Sequence, residues 1–154
     1  FIRTMGKRIG PKAETEEGRK KLLVVDGEPY WFSADMALYF NYYILQAYDC
    51  RSYADLDNRF SQLVLQFSSK QTEEEIAKKL IVTENFEAHS GTGGVTFTTR
   101  DGQSVPSYLG MATWQPLNGR KGGIGSYHME KDYAANPVYK YLRKGIQLMN
   151  PAVK

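Results

Sequence analysis

The spacing of apolar residues changes character once along this 154-residue chain, near residue 89, and that change restricts the fold more than any single motif. Before it, apolar residues recur at three- and four-residue steps, the period of a helix. After it they alternate with threonine, glycine and proline, as in strands and turns. Tyr53, Leu56, Phe60, Leu63, Val64 and Phe67 form one stripe, with Asp55, Asp57, Asn58, Arg59 and Gln62 opposite. That spacing predicts a core-packing helix. Thr72 and Glu75 have capping-box spacing, and Ile76, Ala77, Leu80 and Ile81 follow as the apolar side of a further helix. Ser33 and Asp35 suit a helix start, and the helix they open is expected to reach about Asp49. Its residues from Met36 to Tyr48 are apolar or aromatic on nearly every face, so it must be buried on several sides. Leu22 to Val25, closed by Asp26-Gly27, suits one strand.

Beyond residue 89, Val95 and Phe97 suit a strand, and Asp101-Gly102 predicts a two-residue hairpin. Val105, Tyr108 and Leu109 fall on the return strand, with Pro106 marking an edge. Met111 to Gln115 reads as a third short strand, and residues 116–127 as a glycine-rich loop. A closing helix spans about Pro137 to Met149, with Asn136 as its cap. Val138, Tyr141, Leu142, Ile146 and Met149 form its inner stripe. The fold class that follows is α+β: a helical N-terminal half of about three helices, a small antiparallel sheet with a β-hairpin at 95–109, and a C-terminal helix. Residues 1–21 read as a basic, extended arm, and residues 22–154 as a single globular domain.

Charge is distributed unevenly. Residues 1–21 carry a net +4, residues 22–117 a net −6, and residues 118–154 a net +5. Much of the acidic middle is ordinary helix chemistry, since Glu73, Glu74 and Glu75 open a helix that Lys78 and Lys79 close. The basic ends have no such explanation. They place partner- or anion-binding at Arg3, Lys7, Arg8, Arg120, Lys121, Lys140, Arg143 and Lys144. Gly119 to Ser126 lacks the Gly-Lys-Ser/Thr ending of a phosphate-binding loop and the glycine spacing of a dinucleotide fingerprint.

Catalytic signals are few. His89 and His128 border glycine-rich stretches, but two histidines far apart in sequence, with no Cys/His cluster, give no metal-ligand pattern. Glu84 and Glu87 read as decoration of a helix end. Cys50 is the single cysteine and cannot pair within the chain, so nothing requires an oxidising compartment. No catalytic or metal residues are assigned, and the sequence leaves any cofactor unknown. The first functional reading is a non-enzymatic accessory or linker subunit that binds an anionic or acidic protein partner in a larger assembly. The alternatives are nucleic-acid binding through the basic and aromatic residues, and a small enzyme with a glycine-loop site near His128. No segment is apolar enough to span a bilayer, and membrane-surface contact is not favoured. The compartment is left open, with a soluble intracellular or organellar one favoured, and the start at Phe1 without an initiator Met fits either a cut precursor or a fragment.

Overall fold

The computed structural model describes residues 1–151. Its main sheet is built from β1 (Val24–Gly27), β2 (Tyr42–Gln46), β3 (Leu80–Asn85) and β6 (Gly123–Tyr127), in the order β1-β2-β3-β6. The strands run parallel, and β1 pairs with β2 from Val24↔Tyr42 to Gly27↔Leu45. The helices are α1 (Ile2–Gly6), α2 (Glu16–Arg19), α3 (Ala34–Ala37), α4 (Tyr53–Phe67), α5 (Glu73–Lys79), α6 (Ser107–Thr113) and α7 (Lys140–Met149). A separate antiparallel pair joins β4 (Thr96–Thr98) to β5 (Ser104–Pro106) around Asp101-Gly102. The fold is thus a parallel α/β one, and the expected α+β architecture is corrected.

The reason lies in what a buried parallel strand looks like in sequence. Such a strand is covered on both faces, so it reads as a continuous apolar run rather than an alternating one. Tyr42 to Leu45 is such a run, and it forms β2 where helical continuation from Ser33 to Asp49 was expected. Only one turn there, α3, is α-helical. Leu80 and Ile81 begin β3 instead of extending α5, which stops at Lys79. Residues 107–113 form α6 in place of the end of one strand and the start of another. Gly123 to Tyr127, expected as part of a loop, is a main-sheet strand.

The chain packs as two compact units. The first comprises Phe1–Leu45, Phe60–Ile81 and Pro116–Gly122. Residues 1–21, expected as an extended arm, hold α1 and α2, and Gly6, Ala13 and Gly18 are buried there. Gly10 has φ +89 and a Cβ there would crowd Leu23, so only glycine suits this approach. Tyr43, fully buried, centres this core: its ring lies 5.2 Å from that of Phe67 and 6.4 Å from that of Phe40. Leu63, Ile76 and Leu80 are also fully buried, each such side chain contributing about 1.5–3 kcal/mol. The capping box is formed, with Glu75 N–H donating to Thr72 Oγ1 and Thr72 N–H to Glu75 Oε2.

The second unit comprises Gln46–Arg59, Val82–Gln115 and Gly123–Lys154. Trp114, Phe86, Phe97, Leu56 and Met111 are its largest fully buried side chains. Phe86 meets Tyr108 edge-on at 4.9 Å, and Phe97 meets Tyr53 at 5.4 Å. Trp114 donates its indole N–H to Asp57 Oδ1 at 2.8 Å, so burying the ring leaves no orphan donor. α7 packs through Gly145 against Tyr108 and Ile124, while Val138 and Ile146 of the expected inner stripe are exposed. Its start is corrected too. Tyr139, not Asn136, precedes the first helical residue, and the buried Asp132 carboxylate accepts the Leu142 N–H at 2.8 Å. A carboxylate at that end suits the helix dipole.

Candidate functional site

In parallel β/α architectures, ligands meet the C-terminal ends of the strands. The second unit carries a polar cluster at two such ends. Glu84, near the end of β3, is fully buried. Its Oε1 accepts the Asn85 N–H at 2.7 Å and the Asp49 N–H at 3.4 Å, and its Oε2 accepts the Ser107 hydroxyl at the start of α6. Asp49 lies three residues beyond β2 with φ +60, a left-handed conformation that Asp tolerates better than most residues. That backbone turn sends its N–H to Glu84 and its carboxylate outward to His89 Nε2 at 2.9 Å. The Asp49 side chain is 62% exposed and that of His89 22%. One ligand-capable atom from each of Asp49, Glu84 and His89 lies within 4.8 Å of the others.

Glycine makes this arrangement possible. Gly94 has φ +108, and a Cβ there would overlap Ser107 Oγ and press on Glu84 Oε2. Division of labour follows from exposure. Glu84 cannot touch a solute and instead fixes Asp49, while Asp49 and His89 present an acceptor and an imidazole to solvent. Cys50, the next residue, is buried, and burial pushes its thiol up to about 11, with Arg59 opposing and Asp55 and Glu84 reinforcing that shift. It is a packed thiol rather than a nucleophile.

The sequence-predicted residues fall elsewhere. Arg3 lies on α1, Lys7 caps its C-terminus, and Arg8 follows. Arg120 is exposed, whereas Lys121 is buried, and burial, with Arg120 beside it, lowers its ammonium to about 7. Lys140, Arg143 and Lys144 of α7 do come together, on one groove of about 470 Å³ floored by Leu109, Pro137 and Tyr141. The two histidines have separate partners. His128, in the left-handed region at φ 54, has Nδ1 2.9 Å from Glu130 Oε1, close but not aligned as a hydrogen bond. Glu84 belongs to a strand and not to a helix end.

Asp49 and Ser107 were not singled out from sequence as site residues, and Glu84 was read only as decoration of a helix end. The usable signal is a charged residue just past a continuous apolar run, as Glu84 stands after Leu80–Val82 and Thr83. Among the described residues no helix is long and apolar enough to cross a membrane.

A parallel sheet whose strand ends carry carboxylates and an imidazole defines a β/α-barrel-like domain of the kind that acts on ligands at that edge. The particular family is explicit: residues 1–148 match the family described as glycoside hydrolase family 18, BT1044-like, and the chain belongs to it. A solved structure of BT1044, carrying one glutamate-to-glutamine exchange, is 30% identical with a TM-score of 0.78, over 98% of this chain and 44% of that one. An endo-β-N-acetylglucosaminidase from Cordyceps militaris is 25% identical with a TM-score of 0.64, over 97% of this chain and 49% of that one. It is known both in apo form and as a double variant in complex with fucosyl-N-acetylglucosamine-Asn. This chain therefore spans about half the length of the solved proteins it resembles. No curated protein matches it. The expectation of a non-enzymatic linking subunit is corrected by the family, as is the nucleic-acid-binding alternative.

Proposed function

We propose that this chain forms part of a glycan-hydrolysing site of the endo-β-N-acetylglucosaminidase type, with Asp49 and His89 holding sugar hydroxyls at its rim. The observation that carries this reading is the Asp49–Glu84–His89 cluster at the C-terminal ends of parallel strands. Family membership supplies the reaction class. Hydrolysis in family 18 is substrate-assisted, so a group on the sugar takes the place of a protein nucleophile. What the protein must then supply is an acid and a set of hydrogen bonds that fix the sugar. The exposed Asp49 oxygen accepts from hydroxyls, and the His89 ring paired with it fixes that carboxylate's direction. Glu84 and Ser107 are positioning residues, because both are fully buried.

The test is release of an N-acetylglucosamine-containing glycan from a glycopeptide by the protein, followed by mass spectrometry. Asp49→Asn and His89→Ala are expected to raise KM about tenfold, the scale of one lost charged hydrogen bond, with a smaller change in kcat. Unchanged KM in both variants, or no turnover of any such glycan, would remove the assignment.

A further inference from the structure

The first unit holds a cavity of about 680 Å³ that the strand-end chemistry does not use. It lies beside Tyr42, the first residue of β2, hence at the N-terminal end of that strand. Four lysines line it, Lys12, Lys70, Lys78 and Lys79, against one carboxylate, Glu75.

The charges inside are not balanced from within. Lys70 is occupied by Asp35 at 3.1 Å. The Glu75 carboxylate is turned to its own helix start, where Oε2 accepts the Thr72 N–H at 2.8 Å and the Thr72 hydroxyl at 3.2 Å. Lys12 and Lys78 have no anionic partner among the described residues. The Lys79 ammonium stands 5.6 Å over the Tyr43 ring. Burial and, more weakly, Lys12 pull its pKa below the ordinary lysine value, with Glu75 opposing. Cations gathered around one cavity repel each other unless an anion sits between them.

The rest of the lining suits a ligand larger than a bare ion. Gln71 contributes an amide whose oxygen lies 2.5 Å from the Tyr43 hydroxyl, leaving its NH₂ as the remaining donor. Asn41 is held likewise, its Oδ1 accepting the Leu23 N–H at 2.8 Å. Leu38 and the Tyr42 ring add apolar wall. Among the described lining residues there is no histidine or cysteine, so the cavity has the make-up of a binding site rather than a reacting one.

We propose that this cavity binds a sulfate or phosphate ester of about sugar size, its oxyanion held by Lys12, Lys78 and Lys79 and its carbon skeleton lying against Leu38 and Tyr42. Lysine is a point-charge donor to such oxyanions. The volume lies within the range of small-molecule sites, roughly 300–1,000 Å³. This assignment is independent of the glycan reading at Asp49 and His89.

The experiment is calorimetric titration of the protein with a sugar 6-sulfate, a sugar 6-phosphate, inorganic sulfate, inorganic phosphate and the unsubstituted sugar. Both esters are expected to bind, more tightly than the inorganic ions, and more weakly as sodium chloride is added. The tighter of the two esters identifies the oxyanion. Lys12→Gln combined with Lys78→Gln, both at exposed positions, should weaken ester binding at least about tenfold with an unchanged melting temperature. Lys78→Glu alone should weaken it in the same direction. Binding of the unsubstituted sugar as tight as that of the esters overturns the proposal. So does the absence of binding by either ester, or an affinity unaltered in these variants.

Discussion

Removing the Glu84 side chain is the sharpest probe of the strand-end cluster, because two replacements separate its hydrogen bonds from its charge. Glu84→Ala strands three donors in a buried place: the Asn85 and Asp49 backbone N–H groups and the Ser107 hydroxyl. A buried donor left without an acceptor costs about 1–3 kcal/mol. The hydroxyl can rotate toward another acceptor, and the 3.4 Å bond from Asp49 is already long, so the low end applies to both. The three donors together come to about 3–5 kcal/mol, and the cavity left by the deleted side chain adds to that loss. In a protein of this size that lowers the melting temperature by roughly 10 °C. Glu84→Gln keeps Oε1 for the two backbone donors, and its NH₂ can donate to the Ser107 oxygen, since a hydroxyl both donates and accepts. Only the charge assistance is lost, so the expected cost is about 1 kcal/mol. The assay is urea unfolding followed by circular dichroism for the wild type and both variants. If Glu84→Ala proves as stable as the wild type, or Glu84→Gln less stable than Glu84→Ala, the account of a buried acceptor organising Asp49 and Ser107 is wrong.

Two other consequences concern packing and pH. Gly145→Ala improves intrinsic helix propensity by about 1 kcal/mol, yet its methyl would overlap the Tyr108 ring and press on Ile124. Overpacking costs about 1–3 kcal/mol, so the variant should be less stable by thermal denaturation, and a gain in stability would show that α7 can shift outward freely. The folded-state pKa of Lys121 lies at about 7, below its ordinary 10.5. Between those values the unfolded chain binds the proton and the folded one does not, so stability should rise with pH from about 7 to 10 and be flat below. Lys121→Met should abolish that rise by up to a few kcal/mol, and a wild-type stability that falls over the same interval contradicts the burial of an uncharged amine.

Local structure was legible where the cause was local. The stripe from Tyr53 to Phe67 can only bury one face as a helix, and Thr72 with Glu75 caps α5 by reach alone. The same sequence logic misplaced the main sheet. Tyr42–Leu45 and Leu80–Val82 are short apolar runs, and periodicity cannot separate a doubly covered strand from a buried helix segment. Pairing with neighbouring strands decided it. Gly123 to Tyr127 is the stronger case, since three of the first five residues after Gly122 carry little or no side chain to signal a strand.

The candidate site was illegible for a related reason. Asp49, Glu84 and Ser107 are 35 and 23 residues apart in sequence, and neither interval matches a motif. They meet because parallel strands deliver their C-terminal ends to one edge. The sequence by itself determined the amphipathic helix from Tyr53 to Phe67 and the capping box of Thr72 and Glu75, both of which follow from spacing within a few residues. Tertiary structure alone decided that the sheet is parallel, that Asp49 in a left-handed turn faces His89 over a buried Glu84, and that Lys12 shares a cavity with Lys78 and Lys79. Those relations depend on which distant segments pair, and pairing is selected by the burial of whole faces rather than by any one residue.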